Sequence, residues 1–460
     1  MEENELLLAF YGDDFTGSTD AMEALAINGY RTVLFLEPPN VDMLKRFEGI
    51  SCIGVAGTSR AKSPADMEEE LRPVFKSFAE TEVKVVHYKT CSTFDSAPEV
   101  GSIGKAIELA REYFDEQKVI PLLIGAPPLG RYTIFGQHFA RMHDTVYRLD
   151  RHPVMSRHPI TPMLEADLRL HLAKQTSESI GLMNILELEG SIEAVRERYK
   201  QKSSEPGVLL FDVLDEERLR VSGQLIWESA EDGRSFVVGS SGLGYALTAH
   251  WKNDDVSARM TKLSESVPAR NQVFAVSGSA SMVTQQQIEE ALEDGFYGIK
   301  IKPEQIVNTE SLPRELLNQV IKLIKEGENV ILYTAMGPED PAILETRELF
   351  QQLGIPEFQS GELIGRQLGK WIREVVEASD IRRVIIAGGD TSGFATREIG
   401  VYGLETLLPI SPGAPLCKAY SDDSRFDGIE LALKGGQLGG RNYFTNVRKA
   451  SSEPKQVSLG

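Results

Sequence analysis

The chain has 460 residues, 41% of them hydrophobic and 25% charged, with a formal net charge of −19. That length suits two or three globular domains. No run of about 18 apolar residues occurs, which excludes a transmembrane helix and a membrane partner, and the absence of any Lys/Arg run argues against a nucleic-acid binder. The start, MEENELLLAF, lacks the basic and apolar pattern of a signal peptide. Cys52, Cys91 and Cys417 are odd in number and far apart. They fit neither a disulfide framework nor a cysteine zinc site, so a cytoplasmic location is expected.

Residues 6–11 read as a buried strand running into Gly12, Asp13 and Asp14. The segment Gly12-Asp13-Asp14-Phe15-Thr16-Gly17-Ser18-Thr19-Asp20 follows, and a helix is expected over 19–28 with Gly29 as its stop. Open α/β sheets place ligands beyond the carboxyl ends of their strands. Two adjacent carboxylates there can bind a polyol, hold a metal or accept a proton; the plainer reading is a turn with a capping Asp.

Strands are expected at 32–36, 52–56, 83–88 and 119–124, with helices between several of them, notably over 99–114. This alternation predicts a mostly parallel sheet covered by helices. After the strand ending near residue 56, Arg60 offers a bidentate clamp for a carboxylate. After the next comes Lys89-Thr90-Cys91-Ser92-Thr93-Phe94-Asp95-Ser96. Here Lys89 offers a compact charge, and Thr90, Ser92 and Thr93 offer hydroxyls for a polyhydroxylated ligand.

Residues 125–163, rich in Pro, Arg and His, break the pattern and read as a long functional loop or insertion. His152 and His158, with His138 or His143, lack helical i,i+4 spacing, and no HExxH occurs, so metal binding is not expected. The stretch around Arg157 and His158 reads either as a cationic substrate loop or as a structural loop fixed by Pro153 and Pro159. Strands resume at 181–185, 208–213 and 236–238, followed by a helix over Gly242–Trp251.

Residues 252–271 read as a linker, dividing the chain into domains 1–265 and 266–460. Beyond it come strands at 273–277, 329–334 and 384–387 and helices at 284–293 and 362–378. Ser277-Gly278-Ser279-Ala280-Ser281 lies between a strand and a helix, as does Gly388-Gly389-Asp390-Thr391-Ser392-Gly393. Such loops present backbone N–H groups to phosphates at a helix N-terminus. A third glycine cluster runs from Lys434 to Gly440. There is neither a GxxxxGK[ST] P-loop nor a GxGxxG fingerprint.

Taken in this order, GDDFTGSTD, KTCSTFDS with Gly101-Ser102-Ile103-Gly104, SGSAS, GGDTSG and LKGGQLG resemble the four-carbon acid sugar kinase family from about Leu6 to Phe444. The resemblance implies an α/β protein with an acid-sugar-binding first domain, an ATP-binding second domain and an active-site cleft between them. Carried over by motif, Asp13, Arg60, Lys89, Thr90, Cys91 and Ser92 would contact the sugar acid. Ser277, Ser279, Gly388, Gly389, Asp390, Thr391 and Gly436 would contact ATP, with Mg²⁺ bridging its phosphates. Asp13 or Asp14 would orient or deprotonate the attacking hydroxyl.

The chain departs from the family pattern at Gly12 and Ser18, where alanines are usual, at Ala280, at Gln437-Leu438 and most of all over 131–163. These departures bear on the acid chosen: 3-oxo-tetronate, threonate, erythronate or a branched acid such as 3-oxo-isoapionate. The rival readings are a metal-dependent hydrolase and a non-catalytic sugar-acid sensor. The expected partners are the sugar acid and ATP, with room for a homo-oligomer.

Overall fold

The computed structural model describes residues 6–230, 233–263, 267–308, 311–356 and 359–453. It forms two compact units, Met1–Thr261 and Lys262–Gly460. No helix among the described residues is long and apolar enough to cross a membrane.

The first unit contains β1 (Leu6–Gly12), β2 (Thr32–Phe35), β3 (Cys52–Ala56), β4 (Val83–Lys89), β5 (Val119–Leu123), β6 (Arg131–Ile134), β7 (Gln137–Met142), β8 (Thr145–Arg148), β9 (Ile180–Met183), β10 (Gly207–Phe211) and β11 (Ser235–Gly239). Its main sheet has the order β2-β3-β1-β4-β11-β5-β10-β9, and every pair in it is parallel. Every residue of β1 is buried, as a central strand covered on both faces requires. The helix Phe15–Ile27 leaves directly from β1, and Gly242–Trp251 falls on the residues the sequence predicts.

The second unit holds β12 (Phe274–Ser277), β13 (Phe296–Lys300), β14 (Asn329–Tyr333), β15 (Arg383–Ala387), β16 (Val401–Ser411), β17 (Ala414–Ser421) and β18 (Glu430–Lys434). Their order is β13-β14-β12-β15-β18-β17-β16. The first five are parallel, and β17 and β16 finish the sheet antiparallel. Both units are thus α/β with mostly parallel sheets.

The segment expected as a long loop is instead a small antiparallel sheet, β6-β7-β8, with two short 3₁₀ turns after it. Ile134 pairs with Gln137, so Phe135 and Gly136 form a two-residue hairpin turn with φ of 51° and 80°. Such a turn needs positive φ at both positions and is usually announced by Asn-Gly or Asp-Gly. Here Phe occupies the first. Asp212 compensates by accepting from Phe135 N at 2.5 Å, Gly136 N at 2.9 Å and Ile185 N at 3.2 Å. Burial nevertheless pushes its carboxyl up to about 6.

Arg383 ties the second unit together from inside. Fully buried, it donates to Glu430 at 2.6 Å, to the carbonyls of Val447 and Arg448, and to that of Pro268 at 2.8 Å. One guanidinium so joins β15, β18, the C-terminal helix Tyr443–Lys449 and the entering chain. Removing one partner of a buried pair typically costs about 3–5 kcal/mol. Arg383→Ala should therefore lower the melting temperature sharply, as read by calorimetry; an unchanged transition would contradict this role.

Candidate active site

In the first unit the register brings Gly12 of β1 level with Ala56 of β3 and Lys89 of β4. The loops after three adjacent parallel strands therefore open at one sheet edge. Asp13 follows β1, Arg60 sits in the 3₁₀ turn Ser59–Ala61 beyond β3, and Lys89 ends β4. Backbone bonds pin all three, from Asp13 N to Lys89 O and from Arg60 N to Asp13 O, each 3.0 Å.

The Arg60 guanidinium is shared by both carboxylates. It donates to Asp13 Oδ1 at 2.8 Å and Oδ2 at 3.2 Å, and to Asp14 Oδ1 and Oδ2 at 3.0 Å each. The clamp expected for a ligand carboxylate is thus occupied by the protein's own acids. Asp13 is buried, and burial holds its carboxyl above the usual carboxylate range, with Arg60 and Lys89 pulling it back. Asp14 also caps the helix Phe15–Ile27 by accepting from Gly17 N at 2.9 Å.

Lys89 is buried, with its Nζ 3.9 Å from Asp14 Oδ1. A Cβ at Gly17 would lie 1.8 Å from that Nζ, so only glycine lets the ammonium cross the first helical turn. Gly12 and Ser18 depart from the family pattern together for a related reason. A Cβ at Gly12 would lie 2.0 Å from Ser18 Oγ, which donates to Asp14 O at 2.6 Å.

The loop after β4 carries the other candidates. Thr90 Oγ1 is buried and has no hydrogen-bond partner among the described residues. Burial pushes the Cys91 thiol up, with Arg60 and Lys89 opposing. Ser92 offers its carbonyl to His138 Nε2 at 2.8 Å. Phe94, at φ 56°, turns this loop back into the core. Gly101, with φ 60° and a Cβ position 2.5 Å from Arg60 O, belongs to the packing behind Arg60, and Ser102 caps the helix Ile103–Arg111.

Two acceptor-side candidates stand apart from this group. Arg157 is exposed and its side chain bonds to no group among the described residues, whereas His158 Nδ1 accepts from Thr161 N at 3.1 Å. His152 Nδ1 likewise accepts from Val154 and Met155 N, and His138 packs between Thr133 and Ser92. The histidines are spent on separate local contacts. Among the described residues no group of three or more His, Cys, Asp or Glu is placed to hold a metal ion.

Asp20 is a group that sequence reasoning passed over. Burial pushes its carboxyl up against the pull of Lys89 and a hydrogen bond from Ser241. Its place within GDDFTGSTD, one turn beyond Thr16 on the same helix, was the available signal.

In the second unit three loops converge at the carboxyl ends of β12, β15 and β18. Gly278 N donates to Ala387 O at 3.1 Å, and Gly388 N to Lys434 O at 2.9 Å. Cβ atoms at Gly278, Gly388 and Gly436 would lie 2.4, 2.7 and 2.8 Å from Thr391 Oγ1, Thr391 Oγ1 and Ser279 Oγ respectively. Glycine is also demanded at 388 by φ of 130°. Ser277, Ser279 and Thr391 are buried around these glycines. Gly388 gives the helix Gly389–Glu398 no side-chain cap, so its first backbone N–H groups remain available to an anion. The Asp390 side chain lies outside the described residues. Beside Gly278 and Ala280 opens a cavity of about 500 Å³, lined by Ala335, Ile343, Phe350 and Ile355 among others.

Lys434, quoted within the third glycine motif but not singled out, ends β18 in full burial. Its Nζ donates to Thr284 Oγ1 at 2.9 Å, and no carboxylate among the described residues pairs with it. Burial alone pulls its pKa down to about 7. Between that value and the ordinary 10.5 the unfolded chain binds one more proton, so stability rises with pH across this window. Lys434→Met should therefore melt higher than the wild type at pH 7, with the gap closing towards pH 10. A gap independent of pH would contradict an uncompensated buried lysine.

Comparison with known proteins matches both units. A family model described as a sugar-binding N-terminal domain matches residues 8–247, and one described as a nucleotide-binding C-terminal domain matches residues 274–444. The 3-oxo-isoapionate kinase of Paraburkholderia graminis is 43% identical over 447 residues, covering 96% of this chain and 94% of that protein. The 3-oxo-tetronate kinase of Pseudomonas savastanoi pv. phaseolicola is 28% identical over 445 residues, covering 96% and 97%. A solved Salmonella typhimurium LT2 structure shares the fold with a TM-score of 0.78 at 22% identity, covering 98% of this chain and 100% of that one. With both of its units matched and a relative at 43% identity along nearly its whole length, the chain belongs to the four-carbon acid sugar kinase family.

Proposed function

We propose that this family member transfers the γ-phosphoryl group of ATP to a hydroxyl of a small sugar acid, and that the acid is branched, of the 3-oxo-isoapionate type. The higher identity to the 3-oxo-isoapionate kinase than to the 3-oxo-tetronate kinase supports the branched acid. One geometric observation carries the acceptor half: a buried Asp13 held by Arg60 and flanked by Lys89 at a sheet edge. Arg60 uses one direction on each Asp13 oxygen and leaves the others for a substrate hydroxyl. The raised Asp13 carboxyl is a better proton acceptor than an ordinary aspartate.

The second unit supports the donor half. The apolar cavity beside Gly278 suits the base and ribose, and the bare glycine edges at Gly278, Gly388, Gly389 and Gly436 let phosphates approach the N-terminus of Gly389–Glu398. Phosphate binding would keep Lys434 charged. Mg²⁺ arrives with ATP as part of the nucleotide substrate and neutralises phosphate charge, its ligands being chiefly phosphate oxygens and water. The hydroxyls of Ser279 and Thr391 fit such an oxygen-rich environment. Phosphoryl transfer needs alignment and charge neutralisation above all, and these residues supply both.

Two measurements test this reading. Purified protein incubated with ATP, Mg²⁺ and a panel of sugar acids should release ADP only when an acid acceptor is present. The branched 3-oxo acid should be turned over faster than tetronates. Acceptor-independent ATP hydrolysis, or turnover without ATP, would contradict it. Asp13→Asn should lower kcat by roughly 10²–10⁴-fold, the usual range for loss of a general base, while KM for ATP stays within a few-fold. A kcat equal to wild type would remove Asp13 from the chemistry.

A further inference from the structure

One cation beside the proposed acceptor site forms no ion pair among the described residues. Arg60 is matched by Asp13 and Asp14, and Lys89 lies beside Asp14. Arg131 is not matched. It opens β6, half-buried, and β7, the strand paired with β6, sets His138 Nε2 on the Ser92 carbonyl of the loop after β4 at 2.8 Å. Arg131 thus opens the hairpin that packs on the loop beginning at Lys89.

The Arg131 guanidinium meets only neutral groups. Nη1 donates to the carbonyls of Leu129 at 3.0 Å, Arg141 at 3.2 Å and Gly130 at 3.4 Å. Among the described residues its Nε is buried without a hydrogen-bond partner, and no carboxylate pairs with its guanidinium. On the loop after β4, Thr90 Oγ1 is also buried and unpartnered among the described residues. Buried polar groups are nearly always satisfied, so these two atoms call for a partner that the described residues do not supply. A buried guanidinium is costly unless an anion joins it. Burial indeed disfavours its charge here, with Cys91 and Tyr132 the compensating neighbours.

We infer that Arg131 is the anchor for the carboxylate of the sugar acid, with Thr90 receiving an adjacent hydroxyl. This rests on the kinase reading above and deepens it. The three carbonyls hold the guanidinium in place, so its Nε and remaining amino edge are pre-organised for a two-oxygen anion. Arg60, already spent on Asp13 and Asp14, keeps those acids in place and does not serve as the clamp. The assignment also gives the β6-β7-β8 sheet a function: it delivers this arginine. Choice of acid then depends on the hairpin that begins at Arg131 and not on the outlying Arg157 and His158.

The test is kinetic, on the full-length enzyme. Arg131→Gln should raise KM for the acid about 10- to 100-fold and leave KM for ATP within twofold. Wild type should strongly prefer the acid to its carboxamide, whereas Arg131→Gln should use the two nearly equally. An unchanged KM for the acid, or equal discrimination in both proteins, would overturn the assignment. If Arg131→Gln melts below the assay temperature, Arg131→Lys carries the test, because it keeps a donor for the carbonyls but loses the fork. A several-fold rise in acid KM is expected, and a wild-type value overturns the assignment. Failure of the wild type to phosphorylate any sugar acid would instead overturn the kinase reading, and this inference with it.

Discussion

Two carboxylates on consecutive residues, one of them buried, would repel each other and resist folding unless a cation were fixed between them. The Arg60 guanidinium, bonded to all four oxygens of Asp13 and Asp14, is that cation. Much of the first unit's architecture serves this interaction. The order β3-β1-β4 places the arginine loop and Lys89 on either side of the acid pair. The wholly buried β1 fixes the height at which the pair emerges, and the glycines at 12, 17 and 101 clear space for Ser18, Lys89 and the Arg60 backbone.

Arg60 and Lys89 face the site's own acids, whereas Arg131 forms no ion pair among the described residues. The protein carries a net charge of −19 yet must attract an acid, and local cations decide such binding more than the total does. The second unit follows the same logic with different parts. Its glycine edges are bare, its helix Gly389–Glu398 has no side-chain cap, and its buried Lys434 meets no carboxylate among the described residues. On the reading proposed above, the substrate supplies in each unit a stabilising partner that the protein withholds. Such positions are poor for folding alone and good for recognition.

The sequence made the α/β class and the site-bearing loops legible, because apolar runs ending in Gly, Asp, Ser or Lys have a local signature. What it hid was pairing over distance. That Arg60 would be taken by acids 46 and 47 residues away cannot be read from composition. The β6-β7-β8 sheet was obscured by its Phe135-Gly136 turn, whose unusual φ is stabilised by Asp212, 77 residues from Phe135. Lys434 looked like an ordinary strand-end lysine until burial separated it from solvent. Arg157 and His158 attracted attention by residue type, yet neither bonds to the Asp13–Arg60–Lys89 group among the described residues. The antiparallel pair β16 and β17 also escaped, since only part of β16 alternates between buried and half-buried residues.

The most direct test of the account is a crystal structure of the protein with its sugar acid and a non-hydrolysable ATP analogue. The account predicts that the Arg60 fork stays on Asp13 and Asp14, that a substrate hydroxyl lies within hydrogen-bond distance of Asp13, and that the substrate carboxylate lies on Arg131. A substrate carboxylate seated on Arg60, with Asp13 displaced from the guanidinium, would contradict it.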